Sequence, residues 1–417
     1  MVSVLPFRGL RPVAAKAKAV ASPPYDVLNT NEARAMAAGN PISFLRVNKS
    51  ELEFDDSVNP YSPEVYARGK DNLAKLRATG VLVRDPQPCF YVYRLTMGGR
   101  PQTGLVALTS CAEYDAGIIK RHEHTRPEKV SDRATHIETL GAQVGPVFCA
   151  FRDAPALEAT LKTVCRGTPE YDFVADDQIR HELWVVSEPK VQQTIRDGFA
   201  KLDHIYICDG HHRSASASEV RRRLMAQNKG QSGNEAYHHF LNVIFPAADL
   251  KILPYNRVIK DLNGLSPAAV VEKAAAKFEV AKSESEPALA RPHQFALYAA
   301  RQWWLLTAKP QSFDASSPTA SIDASIIHAN LIAPILGITD PKTDKRIDFV
   351  GGIRGTKELV TRVDAGEVKL AIALFPTTLD QLFAVADAGD VMPPKSTWFE
   401  PKLRDGVVVA LLDTNHL

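Results

Sequence analysis

The run from His204 to Gln227 constrains this chain most. His204-Ile205-Tyr206-Ile207-Cys208 is short, apolar and β-branched, the pattern of a strand buried on both faces. Asp209-Gly210 then supplies a tight turn, and a helical pattern follows over about residues 212–227. Such a strand needs sheet neighbours at its sides and helices above and below.

The same alternation surrounds it. Residues 147–151, 181–186 and 240–245 read as strands, and 154–166 and 190–202 as helices. Upstream, 89–94 and 103–109 are strands joined as a hairpin through Gly98-Gly99. Helices are expected at 65–79, closed by Gly80, and from Thr30 to near Gly39. Thr125 and Glu128 stand at capping-box spacing, with Pro127 in the first helical turn. Beyond Pro246 the character changes; 370–375 reads as a strand and 379–388 as a helix. The expectation is an α/β (α+β) fold, a mixed sheet with flanking helices. Residues 1–250 form the catalytic region and 251–417 a C-terminal α/β domain.

A chain of 417 residues has room for two or three domains and a large core. Its net charge of +2 gives no bulk basic field and argues against nucleic acid as partner. Arg221-Arg222-Arg223 reads as a solvated helix face. Five cysteines, an odd number without a CxxC pair, argue against disulfides and structural zinc. No stretch approaches the roughly 18 apolar residues of a membrane span, and a reducing cytoplasm is the simplest location. A homodimer stays open.

Nine of the twelve histidines lie between His122 and His239. At Asp209-Gly210-His211-His212-Arg213 a strand ends, a glycine turns the chain and a helix begins. A helix N-terminus offers unsatisfied N–H groups and partial positive charge, which suits a phosphate. Arg213 and the histidines add donors. Asp209 is placed to cap the helix, to hold a magnesium ion or to orient a histidine. Arg121-His122-Glu123-His124-Thr125-Arg126 is the second cluster. Glu123 suits a general base for a hydroxyl nucleophile, or serves the dipole of the following helix. Arg121 and His122 are candidate phosphate contacts. His238-His239 is a core or surface pair before it is a metal pair, because no ligand spacing accompanies it. P-loop, dinucleotide-fold and nucleophile-elbow signatures are absent, and Phe349-Val350-Gly351-Gly352-Ile353-Arg354-Gly355 reads as a turn. The stiff run from Met392 to Leu403 carries Lys395 and Lys402, either of which can reach a phosphate.

Asp209-Gly210-His211-His212-Arg213 resembles the DGHHR signature of free L-serine kinases with a ParB/sulfiredoxin-like core. With Pro24-Tyr25-Asp26-Val27, Arg121-His122-Glu123-His124-Thr125 and Met392-Pro393-Pro394-Lys395-Ser396-Thr397, it also resembles a widespread bacterial family labelled as a domain of unknown function. That family is linked to those kinases, and its likeness spans nearly the whole chain. The resemblance implies a ParB/sulfiredoxin-like core and transfer of a phosphoryl group from ATP or ADP to free L-serine. The product is O-phosphoserine, a precursor of cysteine. It implies that Asp209, Gly210, His211, His212 and Arg213 meet the nucleotide phosphates and that Glu123 activates the hydroxyl. On this reading Asp209 and His212 are catalytic, Mg2+ sits at Asp209, and Lys395 joins the phosphate contacts. A nucleotide-binding ParB-like regulatory module and a metal-dependent phosphohydrolase are the rival expectations.

Overall fold

The apolar runs pair as the alternation requires. In the computed structural model, which describes residues 1–230 and 232–413, nine strands form one mixed sheet. In chain order they are β1 (Val4–Leu5), β2 (Phe90–Met97), β3 (Arg100–Ser110), β4 (Ile119–Lys120), β5 (Val147–Phe151), β6 (Tyr171–Val174), β7 (Arg180–Val186), β8 (Ile205–Asp209) and β9 (His239–Pro246). The spatial order is β4-β8-β5-β9-β3-β2-β7-β6, with β1 on β3. Strands β2 and β3 form the expected hairpin, and both turn glycines, Gly98 and Gly99, have positive φ.

Strand β8 lies between two neighbours of opposite sense. It runs parallel to β4, with Ile205 opposite Ile119, and antiparallel to β5. Ile205 and Ile207 enter the main core with Val147, Cys149 and Phe151. Tyr206 and Cys208 are buried as well, which is why the run shows no polar alternation. Helices α1 (Pro63–Ala78), α2 (Pro127–Leu140), α3 (Pro155–Val164), α4 (Pro189–Phe199) and α5 (His211–Gln227) accompany the strands. Leu157, Leu161, Ile195 and Phe199 of α3 and α4 join the core that holds Ile205 and Ile207. Ala134 and Ile137 of α2 pack with Val220 of α5.

One local expectation is corrected. The capping box at Thr125 and Glu128 does not form: the N-cap of α2 is Arg126, with no side-chain cap. Glu128 instead stands 3.7 Å from the Arg126 guanidinium.

The chain divides into two units, Met1–Leu250 together with the segment from Pro401, and Lys251–Glu400. The tail, expected in the C-terminal domain, therefore belongs to the first unit. Ala410–Leu411 pairs with Ala142–Gln143, Val409 bridges Leu10, and Asp405 bridges Ser22. Val409 and Leu411 are buried among Leu10, Val20, Phe44 and Leu73, each contributing roughly 1.5–3 kcal/mol. The second unit carries a six-stranded sheet that is antiparallel throughout. Its own core includes Phe278, Phe295, Leu297 and Ile372. Among the described residues no helix is long and apolar enough to cross a membrane.

Gly406 fixes the tail. Its φ is +81°, and an added Cβ would come within 2.5 Å of the Phe44 ring. Gly406→Ala is expected to cost about 2–4 kcal/mol from strain and overpacking together. Urea unfolding of the two proteins measures the difference.

Candidate functional site

Sheet register brings the two histidine-rich clusters together. Because β4 and β8 are parallel, the chain leaves both at the same edge of the sheet. Arg121-His122-Glu123 therefore emerges beside Asp209-Gly210. Strand β5, antiparallel to β8, starts at that edge and places Phe148 opposite Asp209. Gly210 turns the chain at φ +92° and ψ 28°, conformational space open to glycine. A Cβ here would also press on the Val147 backbone at 3.4 Å.

Helix α5 starts at His211, and no side chain caps it at Gly210. Helix α2 starts two residues beyond Thr125, also without a side-chain cap. The Arg126 N–H donates to His212 Nε2 at 3.1 Å, joining the two helix starts. Further along, Ser216 Oγ donates to the Val130 carbonyl at 3.0 Å, and Arg223 pairs with Glu138 at 2.9 Å. The helices thus run side by side in the same direction. Parallel macrodipoles repel one another, and their positive ends add at the Gly210 turn.

The buried side chains here are mostly neutral. His122 is 2% exposed; burial pushes it down to about 4, against a backbone hydrogen bond at Ile207 that raises it. Its Nδ1 has no protein partner. Burial, reinforced by His122, holds His211 well below the ordinary range. The His122 N–H donates to His211 Nε2 at 3.5 Å, and the rings meet edge to face at 4.5 Å. With Nε2 accepting, the His211 proton is assigned to Nδ1, which lies 3.7 Å from the half-exposed Glu123 carboxylate. Burial and the nearby Arg126 lower His212 too.

Asp209 and Lys402 form the charged pair of the site. Burial pushes the Asp209 carboxyl up, but Lys402 and Arg213 outweigh it and hold Asp209 well below the usual carboxylate range. Lys402 Nζ donates to Asp209 Oδ2 at 3.1 Å, while Oδ1 accepts the Gly210 N–H at 2.9 Å. Arg213 faces inward. It donates to the Pro146 carbonyl at 2.6 Å, stands 3.4 Å from Asp26 and lies 5.9 Å from the Tyr25 ring centre.

The structure thus brings together Glu123, His122, Asp209, Gly210, His211, His212 and Arg213. Three of the expected residues have partners of their own. Arg121 turns to Tyr114, donating to its hydroxyl at 3.4 Å. Lys395 belongs to the second unit, where its ammonium lies 5.4 Å from the Tyr255 ring centre; Lys402 is the lysine at Asp209. Each Asp209 oxygen accepts one hydrogen bond and keeps a second lone pair. Among the described residues no group of three His, Cys, Asp or Glu side chains is arranged to hold a metal ion. His238 is likewise occupied, accepting from Arg221 at 3.1 Å and facing Glu235 at 3.2 Å. Residues not foreseen as part of the site are Tyr25, Asp26 and Asp405. The first two lie in a Pro-fixed segment already singled out in the sequence, whereas Asp405 carries no local signal.

The family model described as "Protein of unknown function (DUF1015)" matches residues 4–325. No curated protein matches by sequence. Among solved structures, a free serine kinase in complex with AMP is similar at TM-score 0.36 and 15% identity, over 70% of this chain and 86% of that one. A conserved hypothetical protein from Pyrococcus furiosus gives TM-score 0.36 and 14% identity, over 72% and 93%. SbnI from Staphylococcus aureus, truncated at its C-terminus, gives TM-score 0.38 and 10% identity, over 72% and 85%. None reaches a TM-score of 0.5, so these likenesses establish no shared activity.

Buried neutral histidines make stability pH-dependent. Burial and Arg133 push His136 down to about 3, while its Nε2 stays within 3.2 Å of the Val47 carbonyl. Unfolding restores an ordinary value near 6.5. The unfolded chain then binds the extra proton, so this contribution is lost as pH falls from about 6.5 towards 3. His136→Gln, which keeps a donor, is expected to flatten the fall of thermal midpoint between about pH 6.5 and pH 4. Equal slopes for the two proteins would contradict the assignment.

Proposed function

We propose that this chain, which belongs to the DUF1015 family, is a phosphotransferase. It moves a phosphoryl group from ATP or ADP to the hydroxyl of free L-serine or a similar small hydroxy compound. One observation carries the reading: two parallel helices, uncapped by side chains, start together at the Gly210 turn beside Lys402. The likeness of Asp209-Gly210-His211-His212-Arg213 to the DGHHR signature supports it.

Phosphoryl transfer asks a protein mainly for positioning and for charge at the phosphate oxygens. The amides at the start of α5 suit one phosphate, and the start of α2 adds positive potential. His122 and His211, being neutral, donate or accept without adding fixed charge. Lys402 is held at the turn by Asp209, near enough to exchange part of that contact for a phosphate oxygen. Asp209 is then a positioning residue for both the lysine and the turn. His212 ties α5 to α2 and keeps the two positive ends in register. Glu123 is the group assigned to take the hydroxyl proton as the substrate oxygen bonds to phosphorus. The bond to the leaving nucleotide breaks, releasing ADP from ATP or AMP from ADP. Magnesium, in this reading, arrives on the nucleotide phosphates and would take Asp209 as its protein ligand, since one or two carboxylates beside phosphates suffice for it. A nucleotide-fed reaction of this kind belongs in the cytoplasm.

The test is incubation with labelled ATP or ADP, magnesium and a pool of free amino acids, followed by identification of the phosphorylated product. Lys402→Met, Asp209→Asn and His212→Ala are each expected to lower turnover at least ~100-fold. Turnover within a few-fold of the parent in all three would remove the site from the chemistry.

A further inference from the structure

The second unit holds a buried charge that its own residues do not balance. Arg257 lies in the strand Tyr255–Ile259, on the face that carries Ile259 into the core with Phe295 and Ile372. It pairs with Phe349 on one side and Ile372 on the other, and it is 3% exposed. Its Nη1 donates to the Tyr255 carbonyl, and its Cζ stands 5.3 Å from the centre of the half-buried Phe349 ring. Among the described residues no carboxylate contacts the guanidinium. A buried charge is normally paired, because leaving it alone in a core is strongly unfavourable.

The donors left over have a definite shape. Nε and Nη2 lie along one edge of the guanidinium, point the same way and take no protein acceptor. Neither is sealed in the core, unlike Asp323 Oδ2 and His328 Nδ1, which are buried without partners. Asp323 and His328 both stand within electrostatic reach of Arg257. They belong to one helical run over residues 323–336, whose turn at His328–Ile332 is π-helical, a widening frequent at functional sites. Asp323 Oδ1 accepts the His293 N–H at 2.8 Å. Burial nonetheless pushes its carboxyl up to about 7, which a direct bond to Arg257 would prevent. Burial pushes Arg257 itself down to about 10, so it stays charged at neutral pH.

The open edge carries one positive charge, and a single negative charge cancels it. A doubly charged phosphate would leave one charge uncompensated in the core. The two oxygens of a carboxylate match the spacing of Nε and Nη2 and form two parallel bonds. Phe349 is the half-buried ring bordering the guanidinium, and it offers an apolar surface beside the charge. We propose that Arg257 anchors a small monocarboxylate with an apolar body, both oxygens on the Nε–Nη2 edge and the body against Phe349. All of these residues lie in the second unit, so the site takes no residue from the Gly210 turn and binding there requires no phosphoryl transfer.

Calorimetric titration of the full chain with benzoate tests this, set against acetate, benzamide and inorganic phosphate. Benzoate is expected to bind at millimolar concentration or below, and each of the other three at least about tenfold more weakly. Arg257→Lys keeps the charge without the two-donor edge and is expected to weaken benzoate at least about tenfold. Should that variant not fold, Asp323→Asn, which keeps the shape, carries the test. The groups facing Arg257 are Asp323, the Tyr255 hydroxyl and His328, with Asp340 beside His328 and Lys395 on the Tyr255 ring. Of these, Asp323 gains its charge near pH 7 and then repels an incoming carboxylate. Benzoate binding is therefore expected to weaken between about pH 6 and about pH 8 in the parent and to hold steady in Asp323→Asn. Equal pH slopes in the two proteins overturn the proposal. So does acetate, benzamide or phosphate binding as tightly as benzoate, or no benzoate binding at millimolar concentration; in the last case the guanidinium edge holds water only.

Discussion

The parallel pairing of Ile119-Lys120 with Ile205-Tyr206 is the contact on which the rest of the site depends. Only two residue pairs are involved, yet they set which end of β4 meets which end of β8. An antiparallel arrangement would send Arg121-His122-Glu123 to the opposite edge of the sheet from Asp209-Gly210. The parallel one puts both departures, and both following helices, at one place. Helices α2 and α5 then run in the same sense, which is electrostatically unfavourable along their length. Val220, Ala134 and Ile137 offset that cost by packing between them.

Burial keeps the enclosed histidine rings of the first unit neutral. His122, His136, His181 and His211 all lie below the ordinary histidine value, and burial is the leading cause in each. His181 shows the structural version of the same rule. It is stacked against Tyr93 and Phe173 and bonded to the Tyr93 hydroxyl at 2.7 Å, away from the turn. Clustering of histidines in the sequence thus has two meanings in one fold. Position relative to the β8–α5 turn, not residue type, separates the candidates from the rest.

Much of this was legible because it is local. The hairpin at Gly98-Gly99, the strand ending at Asp209 and the helix after Gly210 follow from short runs of residues. Strand β6 was not legible. Its burial is intermittent, and it is an edge strand held by the Arg180–Asp172 pair at 2.7 Å, a cross-strand contact that no periodicity announces. The capping box failed because Arg126, one residue later, took the N-cap place and gave its N–H to His212. The lysine at Asp209 lies 193 residues away in sequence. Sequence composition pointed to the Met392–Leu403 run, but choosing Lys402 over Lys395 needed the boundary between the two units.

That boundary has a consequence for how the molecule is made. The first unit is interrupted in sequence by residues 251–400, and its last pieces, Lys402, Asp405 and Val409, arrive only after that interruption. A chain emerging from the ribosome therefore presents β8 and α5 long before their charged partner exists. During that interval Asp209 is a carboxylate without its ammonium, and the groove later filled by Val409 and Leu411 stands open to solvent. Synthesis order gives the second unit a place in time: the Asp209–Lys402 pair can close only after residues 251–400 have been made.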